Sequence, residues 1–96
     1  MIERVNLTLK TWTKVIMCIY ENPDTTITNI HQILRISPAH NSRILGLLEN
    51  RALIKKKVGR NSTNIDLTDN GLIIAYHLIE INKIINNGGK QDARHI

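Results

Sequence analysis

What is scarce in this 96-residue chain narrows its function before any motif is considered. Cys18 is the one cysteine, so no internal disulfide can form, and a reducing, intracellular (cytoplasmic) setting is the expectation. Phenylalanine is absent, and Phe, Trp and Tyr together make up 3% of the residues. Proteins that grip single strands or RNA stack bases on aromatic rings, so that class is poorly supplied. No run of 18 apolar residues occurs, which excludes a spanning helix and membrane partners of that kind. The opening MIERVNLTLK has no continuous apolar stretch followed by a small-residue cleavage site, so no secretory signal is expected. Cys18, His31, His40, His77 and His95 are scattered, without the clustering that a metal requires. A glycine-rich phosphate loop, carboxylates paired on one face and a nucleophile elbow are all missing. The expectation is therefore a non-enzyme with no cofactor and no metal.

What remains is a basic chain. Thirteen Lys and Arg against eight Asp and Glu give +5, and Lys55, Lys56, Lys57 and Arg60 crowd into six positions beside Arg51. Such a cluster points to a polyanionic partner. The length suits one domain, expected over 1–89, with a flexible tail over 90–96 behind Asn87-Gly88-Gly89.

Taken in order, the chain first predicts a helix from Thr11 to Asn22, with Trp12, Val15, Ile16 and Ile19 on one stripe and Pro23 ending it. Thr25-Thr26-Ile27 suits a brief strand. Thr28 is the expected cap of a second helix, Asn29 to Arg35, with Ile30, Ile33 and Leu34 apolar. A third helix, over about 37–50, has both ends written into it. Ser37 is a good N-cap and Pro38 suits the first helical position, where no donor is needed. Ile44, Leu45 and Leu48 share one face, with Asn41 at its edge. The other face carries Ala39, His40, Arg43, Gly46 and Leu47. Glycine inside a helix costs about 1 kcal/mol relative to alanine, which suits a helix lying close against a large partner.

Leu53 to Val58 and Asn64 to Leu67 then read as a hairpin over about 53–67, with the small, polar and basic Gly59–Thr63 as its tip. Thr68 caps a last helix over about 68–87. That helix is apolar on too many sides. Leu72, Tyr76, Ile79 and Lys83 make one line, and Ile74, Leu78, Ile81 and Ile85 make another. A small domain cannot bury both, so the second line is expected to meet a second copy of the chain, joined by Leu7 and Leu9, with Tyr76 and Ile79 packing inward. The fold class is mainly α with a small antiparallel β-hairpin (α+β).

The order of helix, short strand, helix, helix, hairpin, helix is that of the winged helix-turn-helix proteins. Ser42-Arg43-Ile44-Leu45-Gly46-Leu47-Leu48-Glu49-Asn50-Arg51-Ala52-Leu53-Ile54 resembles the recognition helix and first wing strand of MarR-type regulators. Leu67-Thr68-Asp69-Asn70-Gly71 resembles the Leu-Thr-x-x-Gly that closes their wing. The likeness covers roughly Trp12 to Asn87, and short winged-helix proteins of archaea and their viruses look similar. Ala52 stands where the family often has glycine. The wing is shorter, and the terminal helices that build the family's dimer and ligand pocket have no counterpart, so no small-molecule ligand is expected.

The resemblance implies a homodimer that binds double-stranded DNA and regulates transcription, with the third helix in the major groove and the wing on the backbone or minor groove. The candidate DNA contacts are Ser37, Ala39, His40, Asn41, Ser42 and Arg43 on the helix, and Lys55, Lys57, Arg60, Asn61 and Ser62 on the wing. Arg43 can pair bidentately with guanine, and the wing cations can hold phosphates. The alternatives are an architectural DNA-binding protein of the same fold and a winged-helix protein-interaction module that touches no nucleic acid.

Overall fold

The computed structural model describes residues 10–86. Leu7, Leu9, the Asn87-Gly88-Gly89 stop and the 90–96 tail lie outside the described residues. Helix α1 spans Thr11–Glu21 and buries Val15, Ile16, Cys18 and Ile19. Trp12, at its first turn, stays 40% exposed. Asn22 closes the helix, its Nδ2 and its backbone N–H both donating to the Cys18 carbonyl at 2.8 and 3.0 Å.

The chain then turns through Asp24, at φ 61°. This turn is fastened to a strand some forty residues away. The Asp24 N–H donates to Asp66 Oδ1 at 3.1 Å, and Asn64 Nδ2 donates to the Asp24 carbonyl at 2.8 Å. Strand β1, Thr25–Thr26, follows and pairs with β3, Thr63–Leu67, through Thr25↔Ile65 and Thr26↔Asn64. The brief strand thus turns the expected hairpin into a three-stranded antiparallel sheet, ordered β1-β3-β2, with β2 spanning Ile54–Val58. A lone hairpin is marginal in water, and the third strand gives it support.

Helix α2 spans Ile27–Leu34, starting two residues before the position the sequence suggested. Its cap is Thr26, whose Oγ1 accepts from the Asn29 N–H at 3.1 Å, and not Thr28. It ends at Arg35 in the left-handed region (φ 57°, ψ 45°). Three residues later α3, Pro38–Asn50, begins behind Ser37, whose hydroxyl accepts from the His40 N–H at 3.1 Å. The far end of α3 closes in a Schellman arrangement: the Leu53 N–H donates to the Leu48 carbonyl at 3.0 Å and the Ala52 N–H to the Glu49 carbonyl at 2.9 Å. Ala52 takes the left-handed position at φ 58°. Glycine would suit that position better, because it has no Cβ to clash.

Thr68 stitches the last helix to this corner. Its backbone N–H donates to the Leu53 carbonyl at 3.0 Å, its Oγ1 donates to the Ala52 carbonyl at 2.6 Å, and that oxygen accepts from the Gly71 N–H at 3.1 Å. Gly71 lies so close to the corner that a Cβ built on it would sit 2.1 Å from the Leu53 carbonyl oxygen. The Leu-Thr-x-x-Gly motif is therefore a close-packing device joining α3, β2 and the helix it opens.

That helix, α4, spans Asp69–Asn86 and packs on α1 and β3. Its inward face is Gly71, Ala75 and Leu78, with Ile74 half-buried beside them. This corrects the expected assignment of faces. Leu78 and Ile74 belong to the monomer's core side and not to an outer seam, while Tyr76 is 57% exposed, its ring edge-on to Tyr20 at 5.7 Å. The outward apolar residues are Ile73, Tyr76, Ile81, Ile84 and Ile85. The core is closed by Val15, Ile16 and Ile19 of α1, Ile30 of α2, Ile44, Leu45 and Leu48 of α3, and Ile54 and Ile65 of the sheet. Among the described residues, no helix is long and apolar enough to cross a membrane.

Candidate nucleic-acid interface

Burying Ile44, Leu45 and Leu48 turns the opposite side of α3 to solvent. Ser37, Ala39, Ser42 and Arg43 are exposed there, and His40 is half-exposed. Among the described residues, a Cβ added to Gly46 would meet nothing within 4 Å, so no packing between them calls for glycine at this position. Leu47 shares an open apolar cleft of about 270 Å³ with Trp12, Ile44, Leu48, Arg51 and Leu53, beside the end of that face.

Asn41 does not join the outer face. It is fully buried, and its Nδ2 donates to the Ile27 carbonyl at 3.1 Å. The helix places it one turn before Ile44 and Leu45, on the inner side, where it pins α3 to the first turn of α2. Its Oδ1 is buried with no partner among the described residues, so a polar cost is retained at the crossing of these helices.

The wing follows from the register of β2 on β3. Lys55 faces Asp66 and Lys57 faces Asn64, on one side of the sheet. Lys56 faces Ile65 on the other side, with Ile54 and Val58. Lys57 Nζ lies 3.5 Å from Asp66 Oδ2 and 3.9 Å from Asp24 Oδ1. Lys56 Nζ lies 3.3 Å from Glu49 Oε1 on α3. Sequence patterning did not single out Lys56, and the signal for it was the alternation that sends it to the α3 side. At the tip, the Gly59 N–H donates to the Ser62 carbonyl at 2.8 Å, leaving Arg60, Asn61 and Ser62 exposed. Among the described residues, Arg43, Lys55 and Arg60 have no carboxylate within ion-pair distance.

Among the described residues, no three His, Cys, Asp or Glu gather closely enough to hold a metal ion. Burial pushes the Cys18 thiol above its ordinary range, Glu21 pushes it further, and a hydrogen bond from Asn22 partly opposes them. A thiol held protonated is a poor nucleophile and a poor ligand.

No family model matches this chain, and no curated protein sequence does. Solved structures do. A mutant of MepR from Staphylococcus aureus superposes with a TM-score of 0.78 at 19% identity, over 88% of this chain and 66% of that one. A mutant of ZitR from Lactococcus lactis, in apo form, gives 0.77 at 21% identity, over 90% and 67%. MepR in complex with DNA gives 0.75 at 21% identity, over 81% and 60%. The fold is the winged helix-turn-helix of the MarR-type regulators. In that fold α2 and α3 form the helix-turn-helix, and β2 and β3 form the wing. Identities near 20% make the likeness one of fold, and the chain spans about two thirds or less of the length of these solved proteins.

Proposed function

We propose that this winged-helix protein binds double-stranded DNA as a homodimer and regulates transcription, without catalysing a reaction. The observation that carries the reading is the outer face of α3. It is small and cationic, contains a glycine that no packing among the described residues requires, and belongs to a helix that packs on the basic strand β2 of the wing. In this reading α3 enters the major groove. Arg43 reads guanine or holds a phosphate, and His40, Ser42 and Ser37 donate to bases or backbone. Ala39 and Gly46 allow close approach. Arg60, Asn61, Ser62 and Lys55 lie along the backbone or minor groove. Asn41 supports the face from behind. That one solved protein of this fold is seen with DNA supports the reading. A DNA partner would place the protein in the compartment that holds the DNA, the cytoplasm of a cell or of a virus's host.

The proposed dimer keeps Ile81 and Ile85 from the expected seam, gains Ile84, and releases Leu78 and Ile74 to the core. The decisive experiment is selection of duplexes from a random pool, followed by competition with unrelated DNA. Recovery of a palindromic site that resists a thousandfold excess of competitor is expected, because specific binding is typically 10³–10⁷ tighter. Equal competition by any duplex would favour an architectural role, and no shift with any duplex would favour a protein-interaction module.

Two substitutions sharpen the test. Arg43→Ala should lose about 1–3 kcal/mol of binding to the selected duplex while leaving the thermal midpoint nearly unchanged, since the side chain faces outward. A large loss of folding stability instead would mean that Arg43 does structural work. Gly46→Ala should move two readouts in opposite directions. It should stabilise the fold by about 0.5–1 kcal/mol through helix propensity, and weaken binding where a methyl group meets the DNA. Unchanged binding by this variant would place the groove contact elsewhere on the helix.

A further inference from the structure

In the sequence, Lys55, Lys56, Lys57 and Arg60 form one basic run. In the fold, two of the four are already engaged by the chain's own carboxylates. We infer that Glu49, Asp66 and Asp24 act as a brake on sequence-independent DNA binding by neutralising Lys56 and Lys57. The inference rests on the duplex-binding reading above.

The carboxylates are placed by backbone structure and not by chance encounter. Asp66 sits on the central strand of the sheet, and its Oδ1 accepts the Asp24 N–H at 3.1 Å, which leaves Oδ2 for Lys57 at 3.5 Å. Asp24 is held in turn by the Asn64 bond to its carbonyl and lies 3.9 Å from the same ammonium. Glu49, on the last turn of α3, reaches across to Lys56 at 3.3 Å. Exposed ion pairs of this kind are weak in themselves, so they do little for folding. Their larger effect is on the field. A cation with a fixed anion beside it presents little net charge to a phosphate, and a phosphate approaching it meets that anion as well. Sequence-independent affinity rises with the number of phosphates neutralised and counterions released. Two quenched lysines therefore lower the affinity for every duplex, while Arg43 and the face of α3 are untouched. For a regulator facing a vast excess of unrelated sites, the weaker background keeps more protein free to find its target.

The test measures binding of an unrelated duplex and of a selected duplex across a salt series. Glu49→Gln combined with Asp24→Asn and Asp66→Asn keeps the shapes: Asn tolerates the left-handed backbone at position 24, and the amide oxygen introduced at position 66 can still accept that residue's N–H. This variant should bind the unrelated duplex more tightly and steepen the log–log salt slope by about 1–2 units, about 0.9 for each lysine released. Adding Lys56→Gln and Lys57→Gln to it should return the slope to the wild-type value, which unfolding or a general loosening would not do. Should that variant fold poorly, Glu49→Gln alone serves instead, since it frees Lys56 from an exposed position near the end of α3 and should steepen the slope by about 0.9. An unchanged slope, with wild-type protein still binding duplexes, overturns the brake and leaves the duplex-binding reading standing. Tightening confined to the selected duplex also overturns it, because the carboxylates would then act on one site's geometry. If neither protein binds any duplex, the inference and the reading beneath it fall together.

Discussion

Gly71→Ala should be among the most destabilising single substitutions in this chain, costing about 2–4 kcal/mol and lowering the thermal midpoint by roughly 10–30 °C. The cause is a backbone collision. The new Cβ would sit 2.1 Å from the Leu53 carbonyl oxygen and 3.2 Å from the Leu67 Cβ. No rotamer change relieves a contact with a carbonyl that also accepts the Thr68 N–H. Either α4 moves away, opening a gap beside Ala75, or the Ala52–Leu53 corner shifts and carries the end of α3 with it. The same substitution at Gly46 should be stabilising, because a Cβ there meets nothing. Thermal unfolding of the two variants side by side is the check. A Gly71→Ala protein as stable as wild type would mean that α4 does not lie this close to the start of the wing.

Much of this architecture is legible in the residues themselves. Ser37-Pro38 writes the start of α3, and the buried Ile44, Leu45 and Leu48 are the ones its spacing marks. What escaped has a common reason: it depends on partners far away in the chain. Thr26 and Thr28 are equally good caps by type. The choice falls to Thr26 because Thr25 pairs with Ile65, which fixes where the extended backbone stops. Asn41 looks like a groove contact until the Ile27 carbonyl arrives beside it. The basic run loses half its freedom only when β3 and α3 bring Asp66 and Glu49 against it.

The faces of α4 show a different limit. Large apolar residues occur all around that helix, and spacing alone offers two lines of similar quality. What selects the inward face is smallness. Gly71 and Ala75 let the helix approach the body of the domain, and Leu78 follows them one turn on. Weighing residues by size and hydrophobicity passes over two small ones that decide the packing. The correction also changes which substitutions test assembly. Leu78→Glu would put a charge into the core and report on folding, not on association.

Assembly is better tested at Ile81 and Ile84. Both are exposed on the last turns of α4, near Ile85, and this cluster is apolar surface that the domain's own core does not cover. In the proposed dimer, an isologous contact brings the same patch together across a two-fold axis. It would hold two copies of α3 about 34–36 Å apart, one turn of DNA, so that both halves of a palindrome are read together. Ile81→Glu with Ile84→Glu would place charges against each other at that axis. Because both side chains already face solvent, the monomer should keep its thermal midpoint while the dimer dissociates. Affinity for a full palindrome should fall by about 10²–10⁴, because the second half-site loses the benefit of being tethered to the first. Affinity for a single half-site should barely change, and this separates lost assembly from a damaged groove face. Sedimentation over a concentration series measures the state of the wild type directly. A monomer at high micromolar concentration without DNA, and a single copy on the palindrome, would remove the two-fold arrangement from the proposed mechanism.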